Sequence, residues 1–213
     1  MLRLNKDVLF LVIEELQNDR KSLHSCLLVD RTWCEITIPL LWKNPWKFCL
    51  IDSAGSILLF NVILSHLSEG SRENLKQKID LFVARQQPLF NYISFCRYLN
   101  LYILERMTVK RLGRNFEESK ISIIRNEIMR LFINRNTKFT HLYLNSYPYF
   151  QIHISGAEHC FSELKFLQCD IGDENKNVLE RLARISRSIE TFEIINITRD
   201  SLHQYNSGNY WIS

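Results

Sequence analysis

The chain has 213 residues, a formal net charge of +4, 46% hydrophobic residues and 23% charged residues. This composition is typical of a globular protein and excludes an intrinsically disordered chain, which would contain fewer apolar residues. No apolar run reaches the roughly 18 residues that a membrane-spanning helix needs. The first residues also lack the basic-then-apolar order of a secretory signal. We therefore expect a cytoplasmic or nuclear protein that does not contact a membrane.

Three short helices are predicted within residues 1–46. Asn5, Asp19 and Asp30 each precede an apolar segment with helical spacing, and their side chains can accept hydrogen bonds from a first helical turn. Pro39 is expected to end the third helix, because proline lacks an amide hydrogen. The apolar side chains outnumber those that such short helices can bury among themselves. A unit of fewer than about 40 residues usually needs a partner, a metal or a disulfide to be stable.

The order of the apolar residues in this segment is specific. It opens as Leu4-Asn5-Lys6-Asp7-Val8-Leu9 and continues as Val12-Ile13-x-x-Leu16. A Leu-x-x-Cys-x-x-Val-x-Arg-x-Trp run and a closing Leu-Trp pair follow, at Leu23, Cys26, Val29, Arg31, Trp33, Leu41 and Trp42. This order resembles the F-box, the module of the large fungal F-box families among others. In those families a proline stands at the position of Asn5 and a phenylalanine at that of Ile13.

The resemblance implies a function for the first fifth of the chain. F-boxes dock on the Skp-type adaptor of cullin–RING ubiquitin ligases, so a Skp-type adaptor and a cullin scaffold are the implied partners. The positions that correspond to adaptor contacts are apolar: Leu4, Val8, Leu9, Val12, Ile13, Leu16, Leu27, Val29 and Leu41. An ordinary three-helix start to a helical domain is the alternative.

A helical region is predicted over residues 47–91, with a helix at 54–67, a turn at 68–71 and a short amphipathic segment after it. From residue 92 the sequence becomes repetitive. Phe139-x-x-Leu142-x-Leu144 recurs as Leu164-x-x-Leu167-x-Cys169 and Ile189-x-x-Phe192-x-Ile194, at intervals of 25 residues. Cys96-x-x-Leu99-x-Leu101 has the same form, 43 residues earlier.

A period of 25 lies within the roughly 20–29 residues of leucine-rich repeats. Each motif predicts a short strand with one buried face, and Val178, Leu179, Leu182 and Ile185 predict a returning helix. We therefore expect a mixed α and α/β fold, in which a three-helix F-box precedes a short, irregular leucine-rich-repeat-like solenoid at 92–213. No capping unit is visible after Ile197, so the array is predicted to be incomplete. Within residues 199–213, Leu202, Tyr205 and Trp211 are expected either to fold back as a lid or to lie exposed. An α/β domain with accidental spacing is the alternative.

The residues between the recurring apolar positions of each strand are predicted to face away from the core. In a repeat array this face is concave and would hold an unidentified protein target. Its residues are His141, Tyr143, Asn145, Phe166, Gln168, Asp170, Thr191, Glu193 and Ile195.

Basic residues are concentrated at 97–138, where ten Lys or Arg stand against four Glu. Lys120, Arg125, Arg130 and Arg135 are five apart, which sends them to all sides of a helix of 3.6 residues per turn. A nucleic-acid surface needs its charges on one face. We therefore expect these charges to be solvated and expect no nucleic-acid partner.

Catalytic and metal-binding patterns are weak. The six cysteines form no Cys-x-x-Cys pair, and His153, His159, Cys160 and Cys169 have no common zinc-ligand spacing. No nucleophile elbow, phosphate loop or His-Glu-x-x-His motif is present. We expect a substrate receptor of a ubiquitin ligase without a cofactor, rather than an enzyme. A repeat scaffold outside any ligase and a thiol hydrolase based on Cys160 or Cys169 are the alternatives.

Overall fold

The computed structural model describes residues 5–51, 53–79, 81, 83, 87–113, 117–144, 156–170 and 176–195. Within these ranges the fold is helical with a small sheet, as the expected mixture of α and α/β elements requires. The helices are α1 (Lys6–Glu15), α2 (Arg20–Cys26), α3 (Arg31–Lys43), α4 (Ala54–Ser65), α5 (Glu69–Ile79), α6 (Leu101–Leu112), α7 (Glu118–Phe132), α8 (Ala157–Cys160) and α9 (Lys176–Ile185). The strands are β1 (Tyr98–Asn100), β2 (His141–Tyr143), β3 (Phe166–Asp170) and β4 (Thr191–Ile195), and a 3-10 helix spans Tyr92–Phe95.

The first three helices begin at the predicted capping residues. The amide of Asp7 donates to Asn5 Oδ1 at 3.2 Å, and the amide of Trp33 donates to Asp30 Oδ1 at 3.0 Å. The side chain of Asp19 accepts from the first turn of α2 in the same way. These bonds satisfy amides that have no partner inside the helix. The predicted starts of α1, α2 and α3 are therefore confirmed.

The predicted end of the third helix at Pro39 is wrong, because α3 continues through Pro39 to Lys43. A proline inside a helix costs about 3 kcal/mol, chiefly through a lost hydrogen bond and a steric clash. The three residues that follow Pro39 remain helical and pack against apolar cores. Leu40 and Leu41 contact one apolar core and Trp42 another. Burial of these side chains outweighs the cost of the proline.

Helices α4 and α5 follow within residues 47–91. The helix predicted at 54–67 is confirmed as α4, whereas the turn predicted at 68–71 is too long. Helix α5 already begins at Glu69, because Ser68 caps it: the amide of Ser71 donates to Ser68 Oγ at 3.1 Å. A turn at residues 66–68 is sufficient to join the two helices.

The four strands form one parallel sheet in the order β1-β2-β3-β4. Leu99 pairs with Leu142, Leu142 with Leu167, and Leu167 with Phe192. The last two steps are 25 residues long, so the predicted period is the spacing of neighbouring strands in the sheet. Helix α9 returns the chain between β3 and β4 and buries Val178 and Leu182, as predicted.

The entrances of the strands share one hydrogen-bond pattern. The carbonyl oxygen directly before a strand accepts two successive amides at the entrance of the next strand, over 2.8 to 3.1 Å. The accepting residues are Arg97, Thr140 and Lys165, before β1, β2 and β3 respectively. The same backbone contact is thus made three times, including across the longer 43-residue interval.

Helix α7 lies against α6 with the predicted stripe inward: Ile121, Ile124, Ile128 and Phe132 are buried, and Leu131 packs beside them. Arg125 departs from the prediction of a solvated charge. It is buried, and its guanidinium contacts Glu105 at 2.5 and 2.9 Å and Glu118 at 2.8 Å. Charge-assisted bonds to two carboxylates compensate for its loss of solvent.

The apolar side chains form two separate cores. The smaller consists of Leu9, Ile13, Leu23 and Cys26, with Trp33 packed against it. The larger extends from Trp46 to Leu182 and includes residues of both 47–91 and 92–213. The domain limits proposed at residues 46 and 91 stay predictions.

Candidate interaction surfaces

Helix α1 carries two apolar stripes. Leu9, Ile13 and Leu16 lie on one side of the helix; the first two are buried in the smaller core and Leu16 packs against it. Leu9 and Ile13 were predicted to contact an adaptor, but the three-helix unit uses them as its own interior. They are therefore not available to a partner while the unit is folded.

The second stripe faces solvent. Val8, Leu11 and Val12 are spaced by three and four residues, so they share one side of α1, and Leu11 is 60% exposed. Leu28, 87% exposed, and Val29 follow the end of α2 and are also exposed. These five residues are here named the N-terminal apolar surface. Val8, Val12 and Val29 were predicted as adaptor contacts, whereas Leu11 and Leu28 were missed.

The helical spacing of Val8, Leu11 and Val12 would have identified Leu11 in the sequence. Leu28 had no such signal, because it lies in the turn between two helices. Leu27 and Leu41, also predicted contacts, are half-buried. Leu4 lies outside the described residues.

The predicted alternation of buried and less buried residues is observed in β3, whereas in β1 and β2 the third residue, Asn100 or Tyr143, is buried as well. Leu142, Leu144, Leu167 and Cys169 are buried on the core side. The opposite side, here named the strand face, carries His141, Tyr143, Phe166, Gln168, Asp170, Thr191, Glu193 and Ile195. Asn145 lies outside the described residues.

Aromatic rings form a continuous row across the strand face. The rings of Tyr98 and His141 are stacked with centroids 3.9 Å apart, and His141 lies 5.4 Å from Phe166. Phe166 in turn contacts Tyr143 at 5.3 Å. Burial lowers the pKa of His141, and the nearby Lys43 and Lys165 add to this effect. A neutral imidazole is thus favoured in the row.

Tyr143 was expected to be exposed to a target, but it is buried. Burial raises the pKa of Tyr143 to about 12, with smaller contributions from Tyr98 and Glu193. Phe166 and Ile195, the other apolar residues of the strand face, are half-buried. Gln168 donates to Glu193 across neighbouring strands at 2.8 Å. The accessible part of this face is therefore more polar than predicted, with Thr191 and Glu193 most exposed.

The last described strand is open on its core side. Phe192 and Ile194 occupy the positions that are buried in β2 and β3, yet they are 49% and 54% exposed. The predicted incompleteness of the array stays a prediction. The proposed lid, residues 199–213, lies outside the described residues.

The candidate nucleophilic thiols are in unsuitable surroundings. Cys160 is buried, and its thiol donates to the carbonyl oxygen of Asn134 at 2.8 Å. Burial raises the pKa of Cys160 and of Cys169, which disfavours the thiolate that acts as a nucleophile. The neighbouring His159 is exposed and points away from the interior that holds the thiol.

The described residues contain no group of three or more His, Cys, Asp or Glu side chains arranged to hold a metal ion. Within the same ranges no helix has the length and apolar character needed to cross a membrane. The chain matches no protein-family model, no curated protein and no solved structure.

Proposed function

We propose that the chain is a substrate-receptor subunit of an SCF-type cullin–RING ubiquitin ligase. In this proposal α1, α2 and α3 form an F-box that docks on a Skp-type adaptor through the N-terminal apolar surface. The strand face then holds a protein target, and ubiquitin is transferred by other subunits. The C-terminal half would be a short, irregular leucine-rich-repeat-like solenoid.

The N-terminal apolar surface is the observation that carries the proposal. Large exposed apolar patches on a protein usually mark a site of interaction. Val8, Leu11 and Val12 give a ten-residue helix a second apolar, exposed stripe, in addition to the side that faces the core. A helix with two apolar sides is expected where one packs internally and the other meets a partner.

The repeating register supports the receptor half of the proposal. Strands of a repeat array recur at a fixed interval and place equivalent residues side by side on one face. His141, Phe166 and Thr191 are equivalent in this way, as are Tyr143, Gln168 and Glu193. Such a face offers a target several side chains in a fixed geometry.

A thiol hydrolase is a weaker alternative, because Cys160 and Cys169 are buried and their pKa values are raised. A repeat scaffold outside any ligase has the same target-binding face and differs in lacking adaptor affinity. Binding to the adaptor therefore separates it from the leading proposal.

The test is a pull-down of the purified chain with a purified Skp-type adaptor at micromolar concentration. We expect a complex with the native chain and at least tenfold weaker binding for Val12→Asp and Leu28→Asp, because each places a charge in an apolar contact. Both side chains are exposed, so their replacement should leave the fold intact.

Leu58→Asp is the matched control. Leu58 is an exposed leucine of α4, outside the three-helix unit. Its replacement should not change adaptor binding. Equal loss in all three variants would indicate unspecific adhesion, and absence of any complex would favour the scaffold.

A further inference from the structure

An apolar cleft of about 670 Å³ lies between the three-helix unit and α4. Its walls are the side of α3 that carries Ile38 and Trp42, the segment from Asn44 to Leu50, and helix α4. Trp42 stacks on Tyr92 with ring centroids 4.8 Å apart, which holds one wall in place. Clefts of roughly 300–1,000 Å³ with apolar walls and a few polar groups are the usual size for small-molecule sites.

The charged side chain at the cleft is positive. Arg20 lines it and is held in position: its guanidinium donates to the carbonyl oxygen of Phe48 at 3.2 Å and to Nε2 of His24, another lining residue, at 3.5 Å. It also lies 5.9 Å from the centre of the Phe48 ring. No carboxylate of the described residues pairs with Arg20, and no Asp or Glu of those residues lines the cleft. Cys49 also lines it, and burial raises the pKa of that thiol to about 11, so it is neutral.

A second polar group in the cleft lacks a partner. Asn44 lines it, and its Oδ1 atom is shielded from solvent without accepting a hydrogen bond from any described residue. A buried acceptor without a donor is costly, typically by about 1–3 kcal/mol. A carboxylate carries no donor, so this oxygen does not contribute to the binding proposed below, which depends on Arg20.

We propose that this cleft binds a small apolar carboxylic acid, with its carboxylate at Arg20 and its hydrocarbon part between α3 and α4. Arg20, in a lining without Asp or Glu among the described residues, selects the charged end, and the apolar walls accept the rest. Arg20 can bind a carboxylate with two parallel hydrogen bonds, which a neutral head group cannot match. This site does not depend on the function proposed for the N-terminal apolar surface.

The experiment is a calorimetric titration of the intact chain with octanoate and, separately, with 1-octanol, which has the same carbon chain and no charge. We expect one octanoate per chain and binding of 1-octanol that is about tenfold weaker, because the charge-assisted bonds are missing. Arg20→Gln should reduce octanoate affinity to the level of 1-octanol, and Arg20→Lys should retain part of it.

Two further variants keep the result interpretable. Lys21→Gln removes a neighbouring exposed charge that does not line the cleft, and should leave octanoate binding unchanged. Val62→Phe fills the cleft from α4 and should abolish binding of both compounds, with an unchanged circular dichroism spectrum. The proposal is overturned if octanoate shows no saturable binding, if both compounds bind equally, or if Arg20→Gln binds octanoate like the native chain.

Discussion

The three-helix unit (α1, α2 and α3) and the sheet region (β1 to β4) differ in how far their apolar side chains are buried. The unit buries four apolar residues in its core but leaves Val8, Leu11, Val12, Leu28 and Val29 in solvent. In the sheet region, Leu99, Leu142 and Leu167 follow one another across the strands and are all buried. These positions of β1, β2 and β3 are therefore buried within the sheet region, whereas the three-helix unit exposes a second set of apolar side chains.

This contrast also explains where the two regions resemble each other. At β4 the sheet region exposes Phe192 and Ile194, as the unit exposes its second stripe. At β4 the exposed residues occupy positions whose equivalents in β2 and β3 are buried. In α1 they form an additional stripe beside the side that packs into the smaller core.

The largest expected effect is in the larger core. Phe139 is fully buried and its ring lies 5.8 Å from that of Phe161. Phe139→Ala should lower the free energy of unfolding by about 3–5 kcal/mol, because it removes buried surface and leaves a cavity. Urea denaturation followed by circular dichroism measures this change. Phe192→Ala, at a half-exposed position of β4, is the control and should cost less than about 1 kcal/mol; similar costs at both sites would contradict the contrast.

Truncation in the core of the three-helix unit should lower the free energy of unfolding by less and should affect only that unit. Ile13→Ala should cost about 3 kcal/mol, within the usual range for such truncations. Because the two cores are separate, amide hydrogen exchange should increase in α1, α2 and α3 while β2 and β3 keep their protection. Val12→Ala, one residue away and exposed, should change little. Simultaneous loss of protection in the strands would show that the cores unfold as one.

The helix cap at Asp30 should contribute about 1 kcal/mol. Asp30→Ala removes the acceptor for the amide of Trp33, whereas Asp30→Asn keeps an acceptor oxygen at the same place. We therefore expect a lower thermal midpoint for the alanine variant and a nearly native one for the asparagine variant. Equal midpoints for the two variants would mean that the cap does not stabilise α3.

The smallest effect concerns pH and the aromatic row of the strand face. Because the pKa of His141 is lowered in the folded state, the unfolded chain binds a proton more readily. The resulting stability is complete above the ordinary histidine pKa of about 6.5 and is lost as the pH falls below it. The native chain should thus lose more stability than His141→Asn between pH 7.5 and 5, in urea denaturation at each pH. A parallel pH dependence of both proteins would exclude this contribution.

The period of 25 residues, read from the sequence, equals the offset between paired residues of β2, β3 and β4, although the register itself was not predicted. Leu142, Leu167 and Phe192 are aligned as that period requires. Helix starts were equally predictable from Asn5, Asp19 and Asp30, since capping depends on residues only two or three positions away.

Features that depend on tertiary packing could not be predicted in this way. Continuation of α3 through Pro39 depends on what Leu40, Leu41 and Trp42 contact. Whether Leu9 or its neighbour Val8 faces the interior depends on the rotation of α1 about its own axis where it packs against α3. Periodicity alone predicted one wide apolar stripe on α1, in which Val8 and Val12 were grouped with Leu9 and Ile13.

The most direct test of the account is amide hydrogen exchange of the native chain with and without a Skp-type adaptor, at micromolar concentrations. We predict slower exchange in α1 and around Leu28 and Val29 when the adaptor is present, with no change in β3 and β4. No change anywhere in the chain, or protection confined to the strand face, would contradict the proposal that the N-terminal apolar surface binds the adaptor.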